Sequence, residues 1–126
     1  MPIQRRIFCV IIVIAWWCEY ASACPDLSGT YFCPPRGTQA AMTLIVTNRP
    51  LANGAMQYQF RYIRDRETNL EVTASQQGIK REDGTLSTCT EREMITRGTA
   101  NFINADGNYE ASNNGKTQIV CSRVNK

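Results

Sequence analysis

The chain has 126 residues, with 14 basic against 11 acidic residues and no histidine. That length is one domain's worth. The mild positive charge is spread out with no basic block, which argues against nucleic acid as a partner. Without histidine the commonest general base and metal ligand is missing, and Ser-His-acid or Cys-His catalysis is excluded.

The N-terminus has the layout of an export signal. Arg5 and Arg6 precede an apolar run over residues 7–18, and Ala21-Ser22-Ala23 then supplies small residues for a signal peptidase. The run is shorter than the roughly 20 apolar residues of a spanning helix, so no stable membrane span is expected. Residues 1–23 are therefore expected to be a cleaved signal peptide, and 24–126 a single domain in the periplasm or secreted. That domain keeps Cys24, Cys33, Cys89 and Cys121, enough for two disulfides in an oxidising compartment. Lipidation of Cys24 is the alternative, and it would leave an odd number of thiols.

Beyond residue 24 the dominant signal is alternation broken by turns. Asn53-Gly54, Asp83-Gly84, Asp106-Gly107 and Asn114-Gly115 are tight-turn dipeptides, because both positions tolerate positive φ. Between the turns, strands are expected over 29–33, 42–47, 56–64, 70–74, 78–81, 86–90, 92–96, 99–104, 107–111 and 116–124. Eight to ten independent strands is the fair count, because some neighbours could be one strand with a bulge. The only helix-tolerant stretch is 36–44, weakened by Gly37 and Thr38. The fold class is all-β: a small antiparallel up-and-down β-barrel, or a meander or sandwich, with two disulfides.

Residues 56–64 form the most informative strand. Met56, Tyr58, Phe60 and Tyr62 share one apolar, aromatic face. That face is either core or, for Tyr58, Phe60 and Tyr62, a platform for a ligand. Other constellations read as ordinary surface. Glu91 with Glu93, and Asp65 with Glu67, are interleaved with Arg92, Arg64 and Arg66. Arg61, Arg64 and Arg66 could hold an anion, although Asp65 and Glu67 dilute them. Asn104, Asp106, Asn108 and Glu110 alternate through a turn, but Gly107 is in the wrong place for a calcium loop. No catalytic residue, no metal site and no cofactor is expected.

Leu27-Ser28-Gly29-Thr30-Tyr31 resembles the opening of a lipocalin-type (calycin) barrel, in which Gly-x-Trp begins the first strand and an Arg on the last strand packs across the Trp. Here Tyr31 stands for the Trp and Arg123 for the Arg. The resemblance covers the two chain ends and implies barrel closure through Gly29, Tyr31 and Arg123. If Tyr31 faces Arg123 in antiparallel register, Cys33 faces Cys121, and Cys24 is left for Cys89. The rival pattern, Cys24 with Cys33 and Cys89 with Cys121, stays open at this stage.

Two functions are expected ahead of others. One is an exported carrier, a monomer holding a small apolar ligand inside the barrel. The alternative is a protein- or glycan-binding module, or an enzyme inhibitor, acting through loops 36–41, 47–55 or 64–69. A structural envelope protein with no discrete site ranks third, and an enzyme last.

Overall fold

Alternation of apolar and polar residues makes one face of each strand seek cover, and an antiparallel meander provides it by curling on itself. The structure is a computed structural model that describes residues 24–98, 101–113 and 115–126. The expected signal peptide lies outside the described residues, as do the first two residues of the strand expected over 99–104. Ten strands follow one another: β1 (Gly29–Cys33), β2 (Met42–Pro50), β3 (Met56–Ile63), β4 (Glu67–Ala74), β5 (Ile79–Lys80), β6 (Leu86–Cys89), β7 (Glu93–Arg97), β8 (Asn101–Asn104), β9 (Asn108–Asn113) and β10 (Lys116–Asn125). Residues 36–44 form no helix: Arg36 and Gln39 make an isolated bridge, and β2 begins at Met42.

Every neighbouring pair of strands in the sheet is antiparallel, in the order β4-β3-β2-β1-β10-β9-β8-β7-β6-β5. The first and last strands of the chain therefore pair at the centre, and β4 and β5 are left at the two edges. The edges approach each other where Ser75, just past β4, bridges Thr88 of β6 in parallel. The Cys89 amide donates to the Ser75 carbonyl at 3.1 Å. The result is a nearly closed up-and-down barrel.

The turn dipeptide Asn53-Gly54 connects β2 to β3. Asn53 has φ 73° and Gly54 φ 81°, the positive pair that such a turn demands. Inward residues of the strands, among them Tyr31, Leu44, Val46, Tyr58, Phe60, Val72, Met94 and Ile103, form one buried core. Among the buried hydroxyls, two satisfy each other: Ser87 Oγ lies 3.0 Å from Thr96 Oγ1.

Both disulfides pair as the barrel register implied. In the β1–β10 ladder Tyr31 faces Arg123 and Phe32 faces Ser122, which puts Cys33 beside Cys121. Cys33–Cys121 has Cα atoms 4.1 Å apart, and Cys24–Cys89 has them 5.2 Å apart. The first bond clamps the first strand to the last. The second ties the N-terminal arm to β6 beside the seam.

Candidate functional site

The two ends of the barrel differ. At one end, residues 24–28 cross the opening and seal it. Leu27 is fully buried there. The Tyr31 hydroxyl donates to the Leu27 carbonyl at 2.7 Å, and the Tyr58 hydroxyl donates to the Pro25 carbonyl at 2.7 Å. Asn48 Oδ1 accepts from the Leu27 amide at 2.9 Å. Burial pushes the Tyr31 and Tyr58 phenols above their ordinary range, so both remain neutral donors.

The barrel-closure residues meet at this sealed end. The Arg123 guanidinium carbon stands 5.9 Å from the centroid of the Tyr31 ring, and Nη2 donates to the Ala105 carbonyl at 3.1 Å. Arg123 Nη1 is buried without a hydrogen-bond partner, so the cation leans on the ring for part of its compensation. Gly29 has φ 148°, and a Cβ there would lie 2.6 Å from Arg123 Cδ and 2.8 Å from the Asn125 carbonyl oxygen. Only glycine lets the arginine lie down at this point.

The other end is open. A cleft of about 710 Å3 is lined by Met42, Tyr62, Tyr109, Ala111 and Ile119 below, and by Gln39, Arg64, Asp65, Arg66, Thr68 and Asn101 around the rim. Its volume falls in the usual range for small-molecule sites. β3 delivers Tyr62 and β9 delivers Tyr109, and the two hydroxyl oxygens are 2.9 Å apart. Their rings sit 6.4 Å apart, tilted by 55°. Burial raises both phenols, Tyr109 the more strongly. A phenol has one proton and can accept twice. When one hydroxyl of the pair donates to the other, the acceptor keeps a proton for a third partner.

The three aromatic residues singled out in the sequence therefore occupy different places. Tyr58 and Phe60 lie in the packed interior and do not border the cleft. Tyr62 borders it. Phe60 links the levels, with ring centroids 6.5 Å from Tyr58, 6.4 Å from Tyr62 and 6.1 Å from Tyr109. Tyr109 is the aromatic cleft residue that sequence reasoning missed, and Met42, Ala111 and Ile119 of the base were not singled out either. A two-residue hairpin at 114–115 would set Cys121 opposite Asn108. The register shifts between Thr117 and Ile119, and the structure pairs Cys121 with Tyr109 instead.

The candidate loops also divide. Segment 36–41 and segment 64–69 meet at the rim, where Arg64 Nη1 donates to Gln39 Oε1 at 3.0 Å. Segment 47–55 lies at the sealed end, between β2 and β3. The remaining charged constellations are surface pairs and turns. Arg61 meets Glu67 at 2.9 Å, and Arg92 meets Asp106 at 2.6 Å. Asn104 Oδ1 accepts from the amides of Asp106 and Asn108, as in an ordinary Asx turn. No metal-holding group of His, Cys, Asp and Glu occurs among the described residues. No helix among them is long and apolar enough to cross a membrane.

No protein-family model matches the chain, and neither do any curated protein or any solved structure.

Proposed function

We propose that this protein is an exported binding protein that takes a small amphipathic molecule into the open end of its barrel. The observation that carries this reading is the cleft itself. It has an apolar and aromatic base, a spare phenolic proton and a polar, charged rim. The two disulfides fit work in the periplasm or outside the cell. Binding without catalysis is the better reading of this cleft, because the chain has no histidine and Asp65 is the sole carboxylate among the described lining residues.

The test is native mass spectrometry of the protein purified from an oxidising compartment. A mass beginning at Cys24, four hydrogens below the fully reduced chain, with a small-molecule adduct, supports the reading. Tyr62→Trp, which removes the hydroxyl paired with Tyr109 and adds bulk at the base of the cleft, is expected to weaken the adduct. A protein free of adduct that shows no thermal shift with any small amphiphile would overturn it. A second reading draws on the convergence of segments 36–41 and 64–69 at one rim. That rim could grip a protein or glycan, and capture that survives Tyr62→Trp would favour it.

A further inference from the structure

We propose that the cleft's ligand is a compact aromatic anion: one ring or a fused pair carrying a single acidic group. This rests on the small-ligand reading above and adds size, shape and charge to it.

Size comes from depth. Successive inward residues on a strand are about 7 Å apart along it. One such step below Tyr62 lies Phe60, at 2 % exposure, and the next is Tyr58, at 0 %. Val46, the register partner of Phe60 on β2, is 1 % exposed, and Leu44 and Ile103, the partners of Tyr62 and Tyr109, are fully buried. The cleft therefore has a floor only one layer down. A long acyl chain would find no shaft to enter.

Shape comes from the walls. Tyr62 presents its ring at the base of the cleft, with the buried ring of Tyr109 tilted against it and Phe60 stacked beneath it at an interplanar angle of 14°. Flat faces of this kind favour a flat ligand in offset or edge-to-face contact. The unshared phenolic proton can reach a ligand oxygen.

Charge comes from the rim and from the barrel as a whole. Arg64 and Arg66 line the cleft with Asp65 as their only acidic neighbour in it. No ion pair engages Arg66 among the described residues. Arg36, Lys80, Arg81, Arg97 and Lys116 stand on strand ends or connections at the same end, against Glu82, Asp83 and Glu67, the last of which is paired with Arg61. At the sealed end bases and acids balance: Arg49, Arg92, Arg123 and Lys126 face Asp26, Glu91, Glu93 and Asp106. A barrel polarised in this way draws anions to its mouth. A guanidinium then holds a carboxylate, sulfonate or phosphate equally well by charge-assisted hydrogen bonds.

The experiment is calorimetric titration of the oxidised protein with naphthoate, with its neutral isostere naphthamide, and with palmitate. Naphthoate is expected to bind at a single site, with the other two at least about tenfold weaker. Arg66→Gln is expected to weaken naphthoate about fivefold to tenfold, and raised salt to weaken it too, while naphthamide is unmoved. Equal binding of naphthamide and naphthoate, or tighter binding of palmitate, overturns this inference and leaves the small-ligand reading standing. Arg66→Gln weakening both naphthyl probes alike also overturns it. If none of the three binds, this inference falls, and the adduct and thermal-shift measurements decide the small-ligand reading. A sulfonate and a phosphate of the same ring system then separate the acidic groups.

Discussion

At the sealed end of the barrel the hydroxyls of Tyr31 and Tyr58 end on backbone carbonyls, whereas at the open end those of Tyr62 and Tyr109 end on each other. The chemistry is the same and the consequence differs. A backbone carbonyl fixed by its strand or arm is a permanent acceptor, and removing the phenol leaves it buried and unpaired. A pair of side-chain hydroxyls can open and re-form around a ligand oxygen at little cost. The sealed end spends its tyrosines on stability, and the open end holds its tyrosines in reserve for a partner.

The two disulfides test that division most severely. They close chain separations of 65 and 88 residues. In the loop-entropy account each contributes about 4 kcal/mol, with strain and residual structure able to reduce it. Replacing Cys33 and Cys121 together by Ala is expected to lower stability by about that much in urea titration. Replacing Cys24 and Cys89 should cost a similar amount, and it should also free the arm that seals the floor. If the second pair cost nothing, residues 24–28 would be decoration and not a seal.

Alkaline titration sharpens the comparison further. Tyr31, Tyr58, Tyr62 and Tyr109 all have folded-state values raised above the ordinary 10.0, burial being the first cause in each. A raised value means that the folded chain holds the proton more firmly than the unfolded one. The stabilisation is complete below pH 10 and is lost as pH climbs from there toward the folded-state values. Phenolate absorbance should therefore appear late and together with unfolding, where free tyrosine would ionise earlier. Early ionisation in the native state would mean that water reaches these rings.

Next in size are two single-atom changes. Tyr58→Phe strips the buried Pro25 carbonyl of its donor and is expected to cost about 1–3 kcal/mol. Tyr62→Phe leaves Tyr109 a hydroxyl that can face the cleft, and it should cost under about 1 kcal/mol in urea titration. The reverse ranking would break the division between the ends. Gly29→Ala falls in the same range, about 1–3 kcal/mol, because it needs positive φ and drives a methyl into Arg123 and the Asn125 carbonyl.

Part of the sealed end was legible through the resemblance of the two chain ends to a lipocalin-type barrel, which implies that Gly29, Tyr31 and Arg123 meet there. Setting Tyr31 opposite Arg123 then paired Cys33 with Cys121. That step survived a bulge at Val124 because the irregularity lies between Thr30 and Tyr31, outside the segment that carries the cysteines. The open end was harder. β4 starts at Glu67, three residues before the expected strand, because Thr68 faces a wet cleft and needs no apolar side chain. β2 runs on to Pro50, opposite Met56, where a missing amide at a strand's end costs little. Tyr109 stayed hidden behind the register shift in β10. Tyr58 and Phe60 could be read as inward-facing, but how deeply the barrel was filled beneath Tyr62 depended on side chains from other strands.

The smallest effect is expected where the geometry looks best. Arg92 and Asp106 approach to 2.6 Å, shorter than the 2.7 Å bond from Tyr58 to Pro25. Both side chains of the ion pair are 63 % exposed. Water already solvates each charge, salt screens the attraction, and holding two mobile side chains together costs entropy. Arg92→Gln should change stability by less than about 0.5 kcal/mol in urea titration, against the larger loss from Tyr58→Phe. A loss above 1 kcal/mol would place energy in an exposed pair that the separation of charge and water does not explain. Length alone does not rank these two contacts; what decides is whether water can replace the partner that is taken away.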